Sequence, residues 1–331
     1  MSNKITNLVF EGGGILGIAY LGVLDYLFHH GLMSNVRRAA GTSAGAITAC
    51  ITSFNLPFND MKSIVNSLDY KKMPYRGEID SLKHIPEAVK KTIEQLFGDI
   101  DCIYRLLNNY GWFSTEYFYD WIKAVIEAQF DNTKKQPPYT FADFKNPLLH
   151  KRNRPFLDLY IIGTDMSNKT SRVFSFENTP MMEVAQAVRI SMSIPLFFEA
   201  VEVNDNEITG NDMTNIFCDG GVMNNYPINI FDSLKYNGKL FHGANLNTIG
   251  VRFKSSAKYA KIDNLLQFIG NLSRTSMNIQ QEAYNNIPLD KARSISINTL
   301  DVSPVDFNVS PNDHLYNFLY NQGYDAAKAY F

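Results

Sequence analysis

Along residues 5–32, "ITNLVFEGGGILGIAYLGVLDYLFHHGL", the spacing of apolar positions changes within a few residues. A short apolar run, Leu8 to Phe10, gives way to three glycines. After them Ile15, Ile18, Ala19, Gly22, Val23, Tyr26 and Leu27 recur near helical spacing, and Gly31 stands where a C-terminal cap belongs. The pattern predicts strand, glycine turn, helix. It repeats at once: the short strand "NVRRAA" runs into the turn Gly41-Thr42-Ser43-Ala44-Gly45, and "GAITACITSF" follows as a helix of small side chains able to lie close to a sheet. Two such units within 55 residues predict an α/β fold with a parallel sheet.

Residues 56–150 differ. "FNDMKSIVNSL", "IPEAVKKTIEQLF", "DIDCIYRLLNNYG" and "STEYFYDWIKAVIEAQF" each have the apolar spacing of an amphipathic helix, with Asn59 and Ser114 as N-caps and no strand among them. They predict a helical insertion, ended by the turn chemistry of "KKQPPYTFADFKNP". The sheet pattern resumes with strands "FLDLYIIGTD" and "SRVFSF", helix "PMMEVAQAVRISM", strand "NIFCDGG", helix "PINIFDSLKY", strand "TIGVRF" and a long helix near 263–286. With no linker, repeat or low-complexity segment, residues 1–331 are expected to form one domain.

Composition narrows the class. At 331 residues, 45% hydrophobic and 19% charged, the chain has the make-up of a globular protein with a core that needs no staples. Cys50, Cys102 and Cys218 are too widely spaced for a disulfide framework or a zinc site and fit a reducing compartment. A net charge of −2 without Lys/Arg clusters argues against nucleic acid. The N-terminus lacks the pattern of a signal peptide, and no apolar run approaches the ~20 residues of a membrane span. A cytoplasmic protein is expected.

Three glycine-bearing turns carry the candidate chemistry. Gly41 to Gly45 matches G-x-S-x-G, which between a strand and a helix forces the serine into strained backbone angles with its hydroxyl exposed. With Gly and Ser each near ~7% of residues, a chain this long meets the motif by chance roughly one time in ten, so the strand–helix context has to carry the reading. Gly12-Gly13-Gly14-Ile15-Leu16-Gly17 matches G-x-G-x-x-G. One reading is a dinucleotide fold, with the glycines around a pyrophosphate and Arg37 or Arg38 near a 2′-phosphate, in a nucleotide-dependent oxidoreductase. The other is an oxyanion hole made by the same backbone amides. The preferred reading is the hole, because the second strand ends in a serine turn that a dinucleotide site does not need. Asp219-Gly220-Gly221 ends a predicted strand, where parallel sheets place their sites, although Asp-Gly is also a common turn. Ser43, Asp219 and His314 follow the chain order of an α/β-hydrolase triad, but several strands usually precede the serine in that fold and only two do here. No His, Cys or carboxylate set has metal-ligand spacing.

Taken in order, "EGGGILG", "GTSAG" and "DGG" resemble the patatin-like phospholipases, with weaker echoes at "GTD" and "AVRISMSIPLFFEAV" and little resemblance beyond residue 240. The resemblance implies a three-layer α/β/α fold with a mainly parallel central sheet and the helical insertion. It also implies a lipid acyl hydrolase of phospholipase A or lysophospholipase type. It makes Ser43 the nucleophile and Asp219, 176 positions downstream, its only side-chain base, with Gly12, Gly13 and Gly14 as the oxyanion hole and Gly17, Gly41, Gly45, Gly220 and Gly221 in support. An ordinary aspartate is a feeble base at neutral pH, so burial is expected to raise its pKa. Leu16 departs from the family, where many members carry Arg or Lys. No cofactor is implied. The partners implied are a phospholipid or other acyl lipid and the periphery of a membrane, with an oligomer or an activator left open and export as an effector also compatible. A lipid-binding scaffold with a degenerate site is the rival class, and the intact Ser43, Asp219 and glycines argue against it.

Overall fold

The sheet strands are short and apolar because both of their faces are covered, as parallel sheets require. In the computed structural model, which describes residues 4–331 apart from most of 78–98 and 205–212, 237, 255–258 and 301, twelve strands are seen. They are β1 (Asn7–Phe10), β2 (Arg38–Thr42), β3 (Gly111–Phe113), β4 (Asp158–Asp165), β5 (Thr170–Ser175), β6 (Leu196–Phe198), β7 (Val201–Asn204), β8 (Thr214–Asp219), β9 (Leu240–Phe241), β10 (Ala244–Asn245), β11 (Thr248–Lys254) and β12 (Ser294–Asn298). The main sheet runs β12-β11-β1-β2-β4-β8-β7, with β5 also on β4. The first five strands of that order are mutually parallel; β5 and β8 pair antiparallel to β4, and β7 pairs antiparallel to β8.

The described helices are α1 (Ala19–His29), α2 (Ala44–Ser53), α3 (Phe58–Asn66), α4 (Ile100–Asn109), α5 (Glu116–Glu127), α6 (Phe141–Phe144), α7 (Val184–Met192), α8 (Leu265–Asn285), α9 (Pro288–Ala292) and α10 (His314–Tyr330). Alternate strand residues feed two cores. Leu8, Phe10, Ala39 and Ile161 join α1, α2, α7 and α10 in the larger one. Val9, Ala40 and Tyr160 pack on the other face against Tyr226, Ile228, Phe231 and Tyr236, with Tyr284 of α8 beside them. The result is the expected mainly parallel α/β sheet with covered faces.

Several local expectations fail for identifiable reasons. Residues 227–236 are turns, ended by a short 3₁₀ segment, and no α-helix: Ile228, Phe231 and Tyr236 each reach into the second core from turns. The insertion does contain a strand, β3, which pairs in parallel with β6 and ties the insertion to the main body. Pro57, not Asn59, caps α3, and Thr115, not Ser114, caps α5. Ser114 is used elsewhere, since its hydroxyl and the Thr115 amide and hydroxyl all donate to the buried carboxylate of Glu199. The helix expected over 85–97 falls largely outside the described residues. Helix α10, for which the apolar spacing gives no expectation, packs against α1.

Candidate active site

Strand β4 acts as a ruler for the site. Its first half pairs with β2, ending at Thr42 opposite Ile162, and β8 takes over one residue later, with Asp219 opposite Gly163. Ser43 leaves β2 where Asp219 ends β8, so two residues 176 apart in sequence are brought together by adjacent steps of one strand.

Ser43 has φ 54° and ψ −123°, a positive φ that costs energy for a residue with a side chain. The surroundings hold it there. Its amide donates to Ser191 Oγ at 2.9 Å, and that hydroxyl donates to Ile162 O at 2.5 Å. Gly41 and Gly45 are required by close approach: a Cβ on Gly41 would fall 2.1 Å from Gly45 O, and one on Gly45 would fall 2.3 Å from Phe10 O. Helix α2 starts directly after Ser43, so its free amides lie behind the hydroxyl.

Asp219 is 4% exposed. Its amide donates to Ser193 O at 2.8 Å, Thr164 Oγ1 donates to its carbonyl at 2.9 Å, and the Gly221 amide donates to Oδ1 at 2.6 Å. Oδ2 is buried and has no hydrogen-bond partner among the described residues. Burial pushes the carboxyl up to about 7, against the opposing pull of the Ser43 hydroxyl and the Gly221 amide. A carboxylate with one unsatisfied oxygen beside a serine hydroxyl is equipped to accept a proton near neutral pH.

The glycine turn divides. Gly12 lies against Ser43, since a Cβ there would be 3.1 Å from the Ser43 Cβ, but its amide donates to Asn225 O at 2.9 Å. The Gly12 amide is thus engaged within the protein's own backbone. Gly13 and Gly14 line the cleft, and among the described residues neither amide meets a protein acceptor. Gly17 allows the segment after the turn to rest on Ala44, and Gly220 sits against Ile162 O. A 3₁₀ turn spans Gly14–Ile18 and α1 begins only at Ala19, so no α-helix N-terminus abuts the glycines as a pyrophosphate cradle would require. Leu16 is buried in the larger core and presents no charge to the loop.

A cleft of about 320 Å³ opens over Ser43 and Asp219, walled by Met166, Ile194, Leu272 and Val305 among others, and among the described residues its lining holds no Lys or Arg. That size and apolar character suit a small ligand or part of a lipid. His314 is exposed at the first residue of α10 and is not part of the cleft, so the structure does not assemble the triad order. Among the described residues no group of His, Cys, Asp and Glu is arranged to hold a metal. Sequence patterns missed Asn225, Ser191, Gln280 and Gln281. Gln280 Nε2 donates to Gly221 O and its Oε1 accepts from the Asn225 amide, both at 2.8 Å. The signal available for α8 was an amide pair on an amphipathic helix, which names no partner.

The model of the family described as patatin-like phospholipase matches residues 8–232, a span that includes all three glycine-bearing turns. Among curated proteins, YqhO of Bacillus subtilis, described as uncharacterized, is 28% identical over 229 residues, covering 67% of this chain and 65% of that protein. The probable lipid hydrolase 463L of invertebrate iridescent virus 6 is 25% identical over 236 residues, covering 70% and 64%. The solved structure of VipD from Legionella pneumophila superposes with a TM-score of 0.58 at 18% identity, covering 99% of this chain and 66% of VipD. The matches thus span just under two thirds of each of those three proteins. With the family match running from β1 to beyond the Asp219 turn, and the fold shared with VipD, this chain belongs to the patatin-like phospholipase family.

Proposed function

We propose that the protein cleaves carboxylic esters of membrane lipids, in the manner of a phospholipase A or lysophospholipase, through an acyl-enzyme on Ser43. The observation that carries this reading is the register on β4, which sets a strained serine beside a buried aspartate under an apolar cleft. Asp219 Oδ2 takes the hydroxyl proton as Ser43 Oγ attacks the carbonyl carbon. The Gly13 and Gly14 amides receive the oxyanion. On collapse the ester C–O bond breaks and the proton passes from Asp219 to the departing alkoxide. Water then adds by the same route, giving up its proton to Asp219, and releases the fatty acid with Ser43 restored. Esters suit this pair because an alkoxide needs less help to leave than an amine.

The whole chain acts as one hydrolase unit under this reading, meeting its substrate at the cytoplasmic surface of a bilayer. Leu265, Phe268, Leu272 and Ile279 form an exposed apolar stripe along α8, and Leu272 continues into the cleft. Such a stripe gives a lipid a path from the bilayer to Ser43. No described helix is long and apolar enough to cross a membrane.

The test is a fluorophosphonate probe with mass-spectrometric mapping, run beside mixed phospholipid vesicles scored for fatty acid and lysolipid. One residue, Ser43, should be labelled, and Ser43→Ala should remove both labelling and lipid products. Labelling that survives the substitution would place the nucleophile elsewhere.

A further inference from the structure

We propose that Glu11 is a positioning residue for the proposed reaction, its carboxylate fixing the glycine turn that receives the oxyanion; this rests on the Ser43–Asp219 reading above. Glu11 directly precedes the turn and is 1% exposed. Its backbone is held on both sides, the amide donating to Val251 O at 3.0 Å and the carbonyl accepting from the Tyr20 hydroxyl. Its carboxylate meets donors from three separate elements. Oε2 accepts from the Phe253 amide of β11 at 2.6 Å. Oε1 accepts from Gln281 Nε2 of α8 at 3.0 Å and from Asn225 Nδ2, beyond the Asp219 turn, at 3.5 Å.

That donor set selects a carboxylate. Three N–H groups converge on two oxygens, and an apolar side chain would leave the Phe253 amide and Gln281 Nε2 buried and unsatisfied, while Asn225 Nδ2 keeps its bond to Gly12 O at 3.1 Å. Glutamine would turn an NH₂ against one of them. The elements that supply the donors also surround the turn. Asn225 O holds the Gly12 amide, and the Phe253 ring fills the space a Cβ on Gly13 would take. Gln280, next to Gln281, bonds to both Asn225 and Gly221. Glu11 therefore closes a ring of bonds running from the glycine turn through Asn225 and Gln280 to Gly221, whose amide holds Asp219. Donors to an oxyanion act only when they are fixed before the charge appears.

The charge state of Glu11 enters through the same geometry. Burial pushes its carboxyl up to about 7, opposed by the Phe253 amide, the Arg252 guanidinium, Gln281 and Asn225. Facing it are Arg252 from β11, Tyr20 from α1, Tyr226 from the segment after β8 and Tyr284 from α8. Burial raises all three phenols, so they stay neutral through this range. Across the turn Asp219 also titrates near 7. As pH falls, a protonated Glu11 points an O–H at a ring of donors and loosens the turn, while a protonated Asp219 loses its action as a base. Two protonations should then shape the acid side of kcat/KM.

The experiment measures hydrolysis of p-nitrophenyl butyrate against pH by wild type, Ser43→Ala, Glu11→Gln and Gln281→Ala, with melting curves. Glu11→Gln should lower kcat roughly 10²-fold with KM nearly unchanged, as expected for a slightly misplaced site. Its acid limb should change from a two-proton to a one-proton fall. Gln281→Ala, losing one donor, should lower kcat by about ten-fold. A folded Glu11→Gln protein with near-normal kcat, or with the wild-type limb, overturns the assignment. If that variant does not fold, unchanged kcat in Gln281→Ala overturns it. Wild type without Ser43-dependent hydrolysis would instead remove the parent reading, and this one with it.

Discussion

On the serine side of the cleft, backbone lies on backbone: Gly41 against Gly45 O and Gly45 against Phe10 O. On the opposite side α8 is held by side-chain amides, Gln280 to Gly221 and Asn225, and Gln281 to Glu11. The two sides constrain the same few atoms by different means. Close approach of main chains admits only glycine, so it leaves a spaced signature in sequence. Amide bridges can be built from many residues at many positions, and they leave none. The serine side should accordingly fail abruptly on substitution and the α8 side by degrees.

The largest effect is expected at the point where the two sides meet. Asp219→Asn keeps size and the Gly221 contact but offers a poor proton acceptor, and hydrolysis should drop on the order of 10⁴-fold. Stability should move the opposite way. The folded carboxyl lies near 7, above the ordinary 3.8, so its contribution is fully present below about pH 4 and is lost as pH rises through 7. At about 1.4 kcal/mol per pH unit, wild type at pH 8 carries a linked cost of up to about 4 kcal/mol that asparagine escapes. The variant should melt above wild type at pH 8, and the difference should shrink by pH 5. Equal melting temperatures at both pH values would mean Asp219 is not held as a costly buried charge.

Gly13→Val sharpens the contrast. A Cβ there would fall 2.2 Å from the Phe253 ring, forcing the turn away from β11. Loss of one oxyanion donor costs about 10²–10³ in kcat, with much less change in KM. Steady-state kinetics on the folded variant decide the point, and near-normal kcat would move the hole away from Gly13.

The same contrast explains what could be read from the chain. Strands β1, β2, β4 and β8 and helices α1 and α2 are legible because apolar spacing and glycine turns agree there, and α5 and α7 are legible from apolar spacing alone. Segment 227–236 has helical spacing yet forms turns, because Ile228, Phe231 and Tyr236 fill a core from turns, a packing that periodicity does not distinguish. β3 was invisible because three residues paired with the distant β6 carry no local pattern. At the site, the three motif turns are legible and the engagement of the Gly12 amide is not. Which amide is free depends on Asn225, more than 200 residues away. Glu11 stood in the quoted motif without a role, since its three donors come from residues 225, 253 and 281.

The smallest effect is expected at His314, where chain order alone suggested a third catalytic group. The residue opens α10, exposed to solvent, and the cap of that helix is its neighbour Asp313, which accepts from the Tyr316 amide at 2.8 Å and the Ser310 amide at 2.7 Å. His314→Ala leaves those bonds in place. It also removes a side chain that, when protonated, sits at the unfavourable end of the helix dipole. A surface change of this kind lies within about 0.5 kcal/mol of neutral. kcat, KM and melting temperature should therefore all stay close to wild type under conditions where Asp219→Asn is inactive. The pair of variants isolates the base: a serine–aspartate dyad asks nothing of His314, whereas a triad cannot turn over without its histidine. A folded His314→Ala protein as inactive as Ser43→Ala would show that the histidine reaches the site in the working enzyme, and the proton transfer assigned to Asp219 would have to be reassigned.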